Sequence, residues 1–351
     1  MKEMSRPMER YGKSAEGILG ASQGFYADND AYLAEALRQA ALYREQPRRE
    51  RCKLCEAPLP LSPDFIKHGA PYASCGTCTH LNGLHEDTEA FCRAIYLDER
   101  YGEDYASRNA ERFAYRVASV YRPKVDFLVE ALAAAGEAPA DLRYADFGAG
   151  SGYLVAAFRA AGLDRSWGLE VSPAQVEFAN SMIGEAALQR ISLDGTVQAA
   201  REVDAEVVSM IGVLEHLRQP RAVLQALRDN PASRYLFLCV PLFGLCVFLE
   251  MAFPGVFPRH LGRDHTHLFT DRSLEHMEEV FGLRRCAQWW FGSDMLDLYR
   301  AGTVSIARDP GTRAMVEAWT ERMRPLIDPL QLQIDRRRLA SEVHLLLEIL
   351  R

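Results

Sequence analysis

The chain has 351 residues, 48% of them hydrophobic, a size and composition that suit two or three folded domains rather than one small core. Its formal net charge of −7 and pI near 5.8 exclude the basic footprint of a protein that holds long nucleic acid, so no nucleic-acid partner is expected. Eight cysteines in this length do not make a secreted disulfide scaffold, and the opening MKEMSRPMERYGKSAEG lacks the apolar core of a signal peptide; a cytoplasmic, thiol-reducing location is the expectation.

Residues 1–50 read as an N-terminal helical segment. Leu33, Leu37, Ala40, Ala41 and Tyr43 recur at helical spacing behind Asp28, Asn29 and Asp30, which predicts an amphipathic helix over 28–46 that serves assembly. Residues 51–85 form a module rich in Pro and Gly, with loops and short strands expected. Within it Cys52 and Cys55, then Cys75 and Cys78, form two C-x-x-C knuckles separated by nineteen residues, the pattern of four thiolates around one tetrahedral Zn2+. A module this small buries too little apolar surface to fold alone, so the metal supplies its stability. Four protein ligands leave no open position, which makes that zinc structural. His80 and His85 lie near but are not needed as ligands. Cys92, Cys239, Cys246 and Cys286 sit in apolar or helical contexts and read as packed thiols.

Residues 86–140 read as a helical linker or lid, ending at Gly136 and Pro139. From 141 to 305 the pattern alternates strand, turn and helix. LRYADF, SWGLEV, AEVVSMIG and RYLFLCV are strands; YLVAAFRAAG, PAQVEFANSMIGEAAL and LRQPRAVLQALRDN are helices. Such alternation predicts an α/β fold, a doubly wound Rossmann-like parallel sheet covered on both faces. The apolar stretch Leu236–Phe257 is interrupted by Pro241, Gly244, Glu250 and Pro254; it reads as a buried strand, a turn and an apolar helix or lid, and no membrane partner is expected. Residues 306–351 read as a C-terminal helical segment.

The decisive constellation is DFGAGSG, with Asp146, Gly148, Gly150 and Gly152 between an apolar strand and a helix. Glycines there let the backbone turn sharply and approach a ligand, and the helix start presents unpaired N–H groups. Twenty residues after Gly150, Glu170 ends the next strand, where a carboxylate accepts both hydroxyls of a ribose. A dinucleotide fingerprint needs a third glycine or alanine where Tyr153 stands, and Asp146 is badly placed beside a pyrophosphate but well placed beside an ammonium group. The cofactor with an α-amino group, a ribose and no phosphate is S-adenosylmethionine.

DFGAGSGYL, GLEVSP and EVVSMIGVLEHL followed by QP resemble the motifs of class I S-adenosylmethionine-dependent methyltransferases over about residues 142–300. The resemblance implies that Asp146, Gly148 and Gly150 line the methionine end of the donor, that Glu170 holds its ribose, that Asp194 faces its adenine and that Gly212 lies beneath it.

In open α/β sheets the crevice lies beyond the carboxyl ends of the strands. Two stretches reach it: Leu214, Glu215 and His216, and the loop Pro258–Thr270, PRHLGRDHTHLFT. Methyl transfer needs a nucleophile in line with the methyl group and often a base, and His265 beside Asp264 supplies an imidazole tuned for that role. Arg259 and Arg263 are the candidates to hold an anionic group of the acceptor. An N-terminal four-cysteine module joined to this core resembles the sugar C-methyltransferases that act on nucleotide-linked deoxysugars. That resemblance puts the basic role on His265 of DHTHLFT, a second active-site histidine at His216, and a tyrosine near the donor at Tyr105. The expected function is methylation, on carbon or oxygen, of a small polar acceptor, a sugar or nucleotide-linked sugar. An RNA methyltransferase with a zinc module and a non-catalytic S-adenosylmethionine-binding protein are the alternatives, and the oligomeric state is left open.

Overall fold

The computed structural model describes residues 6–21, 28–96, 109–184, 186–261 and 265–351. Its strands in chain order are β1 Met8–Tyr11, β2 Phe65–Lys67, β3 Ala70–Ser74, β4 Leu81–Gly83, β5 Tyr144–Phe147, β6 Ser166–Glu170, β7 Leu188–Arg190, β8 Val207–Ile211, β9 Tyr235–Pro241, β10 His267–Leu268, β11 Leu283–Trp290 and β12 Glu342–Ile349. They form an eight-stranded sheet of order β1-β11-β12-β9-β8-β5-β6-β7 and a four-stranded sheet of order β10-β4-β3-β2.

The large sheet is the expected α/β platform. β5, β6, β7, β8 and β9 pair in parallel, joined by helices Tyr153–Ala160, Pro173–Ile183, Thr196–Glu202 and Pro220–Asp229. Pro173 and Pro220 occupy first-turn positions, where the missing N–H costs nothing, and the Ser172 hydroxyl accepts from the Gln175 amide. Ala145, Phe147, Val208, Leu236 and Leu238 pack into one core; Tyr144, Val207, Tyr235 and Phe237 pack into another on the opposite face. Both faces are therefore covered, and all seven residues of β9 are buried. The chain runs outward from β5 through β6 and β7, then crosses back to β8 on the other side of β5. That reversal opens a crevice between the carboxyl ends of β5 and β8.

Two elements differ from expectation. Residues 306–351 are not helical throughout: helices Val316–Met323 and Ile327–Asp335 precede β12, which lies antiparallel between β11 and β9. A short apolar run such as VHLLL does not distinguish helix from strand by periodicity. Here Val343, Leu345 and Leu347 fill one core and Leu346 the other, a period of two that a central strand satisfies. At the other end, Met8–Tyr11 adds a parallel edge strand on β11 instead of continuing a helical segment.

Helix Asn29–Arg44 covers the small sheet rather than presenting a free face. Ala36, Ala40 and Tyr43 are buried, and the Tyr43 hydroxyl donates to the His85 carbonyl (2.6 Å). Residues 110–134 are helical, with a π-helical turn at Val117–Tyr121 that lays Tyr121 against Tyr153 at a 5.3 Å centroid spacing. Among the described residues no helix is long and apolar enough to cross a membrane.

Candidate functional site

A cavity of about 860 Å³ opens at the crevice between β5 and β8. Its first wall is the glycine loop. Gly148 (φ +62°) and Gly150 (φ +54°) adopt left-handed backbone, and a Cβ on Gly148 would sit 2.7 Å from Cγ2 of Val213. Only glycine lets this turn pass so close to the loop after β8. Glu170 organises the loop from β6: its Oε2 accepts from the Gly150 amide (2.8 Å) and its Oε1 from the amides of Val171 and Ser172 (2.8 Å each). Asp146, at the end of β5, accepts from the Ser209 hydroxyl (2.6 Å). Burial raises its pKa to about 7; the Ser209 hydrogen bond opposes the shift and the Glu170 charge adds to it. Asp194 stands on the rim in the turn Leu193–Gly195, within 3.4 Å of Arg218 and 3.6 Å of Arg93, and Gly212 closes β8.

Opposite the glycine loop, the turn after β8 and the loop before β10 bring three side chains together. Glu215 Oε1 lies 3.9 Å from Nε2 of His216 and 3.9 Å from Nε2 of His265. The two imidazoles are 4.7 Å apart, centre to centre. Nδ1 of His216 is 3.2 Å from the Tyr96 hydroxyl, and Nδ1 of His265 is 3.2 Å from the His260 carbonyl. Several contacts hold the His265 loop in place. β10 pairs with β4, the Gly83 amide donates to the Thr266 carbonyl (2.8 Å), and Glu250 accepts from the amides of Arg259, His260 and Leu261 (2.6, 2.7 and 3.1 Å).

Arg259 also lines the cavity, with its guanidinium 3.4 Å from the Asp297 carboxylate and its charge thereby balanced inside the protein. Of the residues singled out in the sequence, Asp146, Gly148, Gly150, Glu170, Asp194, Gly212, His216, Arg259 and His265 all line this one cavity. Tyr105, Arg263 and Asp264 lie outside the described residues. Sequence reasoning missed the floor: Lys13, Lys124, Cys239 and Glu342. The Cys239 thiol donates to Glu342 (2.9 Å), and Lys124 approaches the same carboxylate at 4.0 Å. Burial lowers the pKa of Lys13 to about 8, with the Lys124 charge acting in the same direction. Lys13 and Glu342 belong to N- and C-terminal segments that reach the cavity only because β1 and β12 join the sheet, so no local motif marks them.

The four cysteines form a separate centre. Their sulfurs lie within 4.8 Å of one another, with Cys52 to Cys78 at 3.7 Å and Cys55 to Cys75 at 3.4 Å. Tetrahedral Zn–S bonds of about 2.3 Å place sulfurs about 3.8 Å apart, so the donor set and its spacing fit that ion. The Thr77 amide and the Asn82 side-chain amide point at Cys75 and Cys52 sulfurs (3.4 and 3.5 Å), the hydrogen bonds that stabilise thiolates. The module is fused to the large domain: Cys52 and Leu54 share a core with Leu214 and Phe269, and Arg221 donates to the Leu54 carbonyl (2.6 Å). His80 is not a fifth ligand; its Nε2 pairs with Nδ1 of His267 at 2.8 Å.

A doubly wound sheet with a glycine loop, an acid at the end of β5 and another at the end of β6 defines a nucleoside-binding α/β domain. Residues 113–287 match the family model described as a methyltransferase domain, so the chain carries a methyltransferase domain. Comparison with curated proteins finds no match. Among solved structures it is similar to magnesium protoporphyrin IX methyltransferase from Synechocystis PCC 6803 (18% identity, 59% of this chain and 94% of that one, TM-score 0.43). It is also similar to the YcgJ protein from Bacillus subtilis (13%, 65% and 98%, 0.38) and to the [4+2]-cyclase SpnF (13%, 66% and 81%, 0.38).

Proposed function

We propose that this methyltransferase acts on a small polar acceptor, a sugar or nucleotide-linked sugar, at carbon or oxygen. The observation that carries this reading is the single cavity of about 860 Å³ in which the glycine loop faces Glu215, His216, His265 and the Lys13, Lys124 and Glu342 floor. Small-molecule sites span about 300–1,000 Å³, so there is room for a donor and one compact acceptor. An acceptor end so dense in hydrogen-bonding groups suits a polyhydroxylated ligand. The net charge of −7 argues against an RNA substrate.

S-adenosylmethionine supplies an electrophilic methyl group. Asp146 binds the donor's ammonium, Glu170 its ribose hydroxyls, and the wall around Asp194 its adenine. The acceptor docks against His216 and His265, where it loses a proton, and Arg259 with the floor lysines orients its polar groups. The test is mass spectrometry of small molecules that co-purify, followed by turnover on a panel of nucleotide-linked sugars. Turnover on RNA with salt-sensitive binding, and none on the panel, would overturn the sugar reading.

Asp146 gives donor binding a pH dependence of known sign. Burial raises its pKa to about 7, and only its ionised form attracts an ammonium. S-adenosylhomocysteine should therefore bind about tenfold more weakly at pH 6 than at pH 8, following the ionised fraction. Asp146→Asn should bind weakly at both values. A pH-independent affinity in the wild type would remove Asp146 from the ammonium site.

We further infer that Cys52, Cys55, Cys75 and Cys78 hold one structural Zn2+. Cys52→Ser or Cys78→Ser should lose that zinc and unfold the N-terminal module, with the central sheet retained in far-UV circular dichroism. Freshly purified protein without zinc by elemental analysis would refute this assignment.

A further inference from the structure

The second cluster in the cavity has the form of a metal site in its own right. Glu215, whose side chain is 2% exposed, places Oε1 at 3.9 Å from Nε2 of both His216 and His265, and one ligand atom from each residue lies within 4.8 Å of the other two. The far nitrogens are engaged on the outside of the cluster. Nδ1 of His265 lies 3.2 Å from the His260 carbonyl, and a carbonyl only accepts, so the proton of a neutral His265 sits on Nδ1 and the Nε2 lone pair faces inward. Nδ1 of His216 meets the Tyr96 hydroxyl at 3.2 Å, which sets the same orientation when the imidazole donates. This is how metal-binding histidines are held: one nitrogen anchored to an outer partner, the other aimed at the ion. With bonds of about 2.1 Å, pairs of ligand atoms on one ion lie about 3.0 to 4.2 Å apart, a range that includes both 3.9 Å separations. All three residues line the donor cavity.

We propose that Glu215, His216 and His265 bind one divalent first-row transition-metal ion, with its open positions turned to the cavity to receive a hydroxyl oxygen of the acceptor. Two imidazoles and one carboxylate suit manganese, iron, cobalt or zinc better than the all-oxygen shells of calcium or magnesium. As a ligand through Nε2, His265 does not itself take the acceptor's proton. The ion acidifies the hydroxyl, and its O–H bond breaks with the electron pair left on the acceptor oxygen and the proton passed to water. The acceptor role rests on the methyl-transfer reading; the ion's binding does not, and its test uses neither donor nor acceptor.

The experiment is titration of the full chain with Mn2+. The protein is first dialysed briefly against chelator, with elemental analysis used to verify that the four-cysteine site keeps its zinc. Free Mn2+ is counted by its six-line electron paramagnetic resonance signal. Uptake of about one Mn2+ per chain is expected, with at least tenfold weaker binding in Glu215→Gln and His265→Asn. Pulsed measurements on the wild type should show nitrogen modulation from coordinated imidazole, a signature that depends on no variant folding correctly. No uptake at millimolar Mn2+, or bound Mn2+ without imidazole nitrogen, would overturn the metal site. Either result would return His265 to the role of general base and leave the methyl-transfer reading standing.

Discussion

Replacing His265 by alanine should lower turnover by about 10²- to 10⁴-fold at saturating donor, the range for removing a group on which deprotonation of the acceptor depends. S-adenosylhomocysteine affinity should change by less than about twofold, because the groups assigned to the donor, Asp146, Gly150 and Glu170, belong to β5, the loop after it and the end of β6, elements apart from the His265 loop. His265 is 17% exposed, lies 3.9 Å from Glu215 and rests its ring beside His216, so its loss empties the centre of the acceptor end. The deciding measurement is steady-state methyl transfer to the natural acceptor. Wild-type turnover would take His265 out of the reaction and move the search to His216 and Tyr105.

The donor side of the site was legible because its chemistry is local. A strand, a glycine turn and a helix place Asp146, Gly148, Gly150 and Glu170 within 25 residues, and each is needed where the backbone bends or where a β-strand ends. The cysteine knuckles were legible for the same reason, since the spacing within each C-x-x-C pair brings two thiols together at once. The opposite side was legible only in part, since His216, Arg259 and His265 stood out and line the cavity while Lys13, Lys124 and Glu342 did not stand out. Glu215 stood out only as part of the stretch with Leu214 and His216, and its partnership with His265 depends on a fold that brings together residues 50 positions apart. Glu342 arrives from β12, part of a stretch read as helical, whose alternating burial serves two cores. Asp264, read as the partner of His265, lies outside the described residues, whereas the described carboxylate near that imidazole is Glu215.

Glu170→Ala should remove most donor affinity, and the reason is more than one lost hydrogen bond. Its carboxylate is 6% exposed at the residue level and accepts three backbone amides, from Gly150, Val171 and Ser172. The variant leaves those N–H groups without their acceptor, lets the Gly150 turn relax and deletes the charged acceptor assigned to the ribose. A hydrogen bond to a charged group is worth about 1.5–3 kcal/mol, so one such loss weakens binding roughly 10- to 150-fold. The loss of loop order should also lower the thermal transition of the ligand-free protein. Glu170→Gln separates the two effects. Its carbonyl oxygen still accepts from part of the loop, so the transition should recover toward wild type, while the missing charge keeps ribose recognition weak. Calorimetry with S-adenosylhomocysteine on both variants decides the matter. Unchanged affinity in either one would sink the ribose assignment and leave Glu170 as a loop-positioning residue alone.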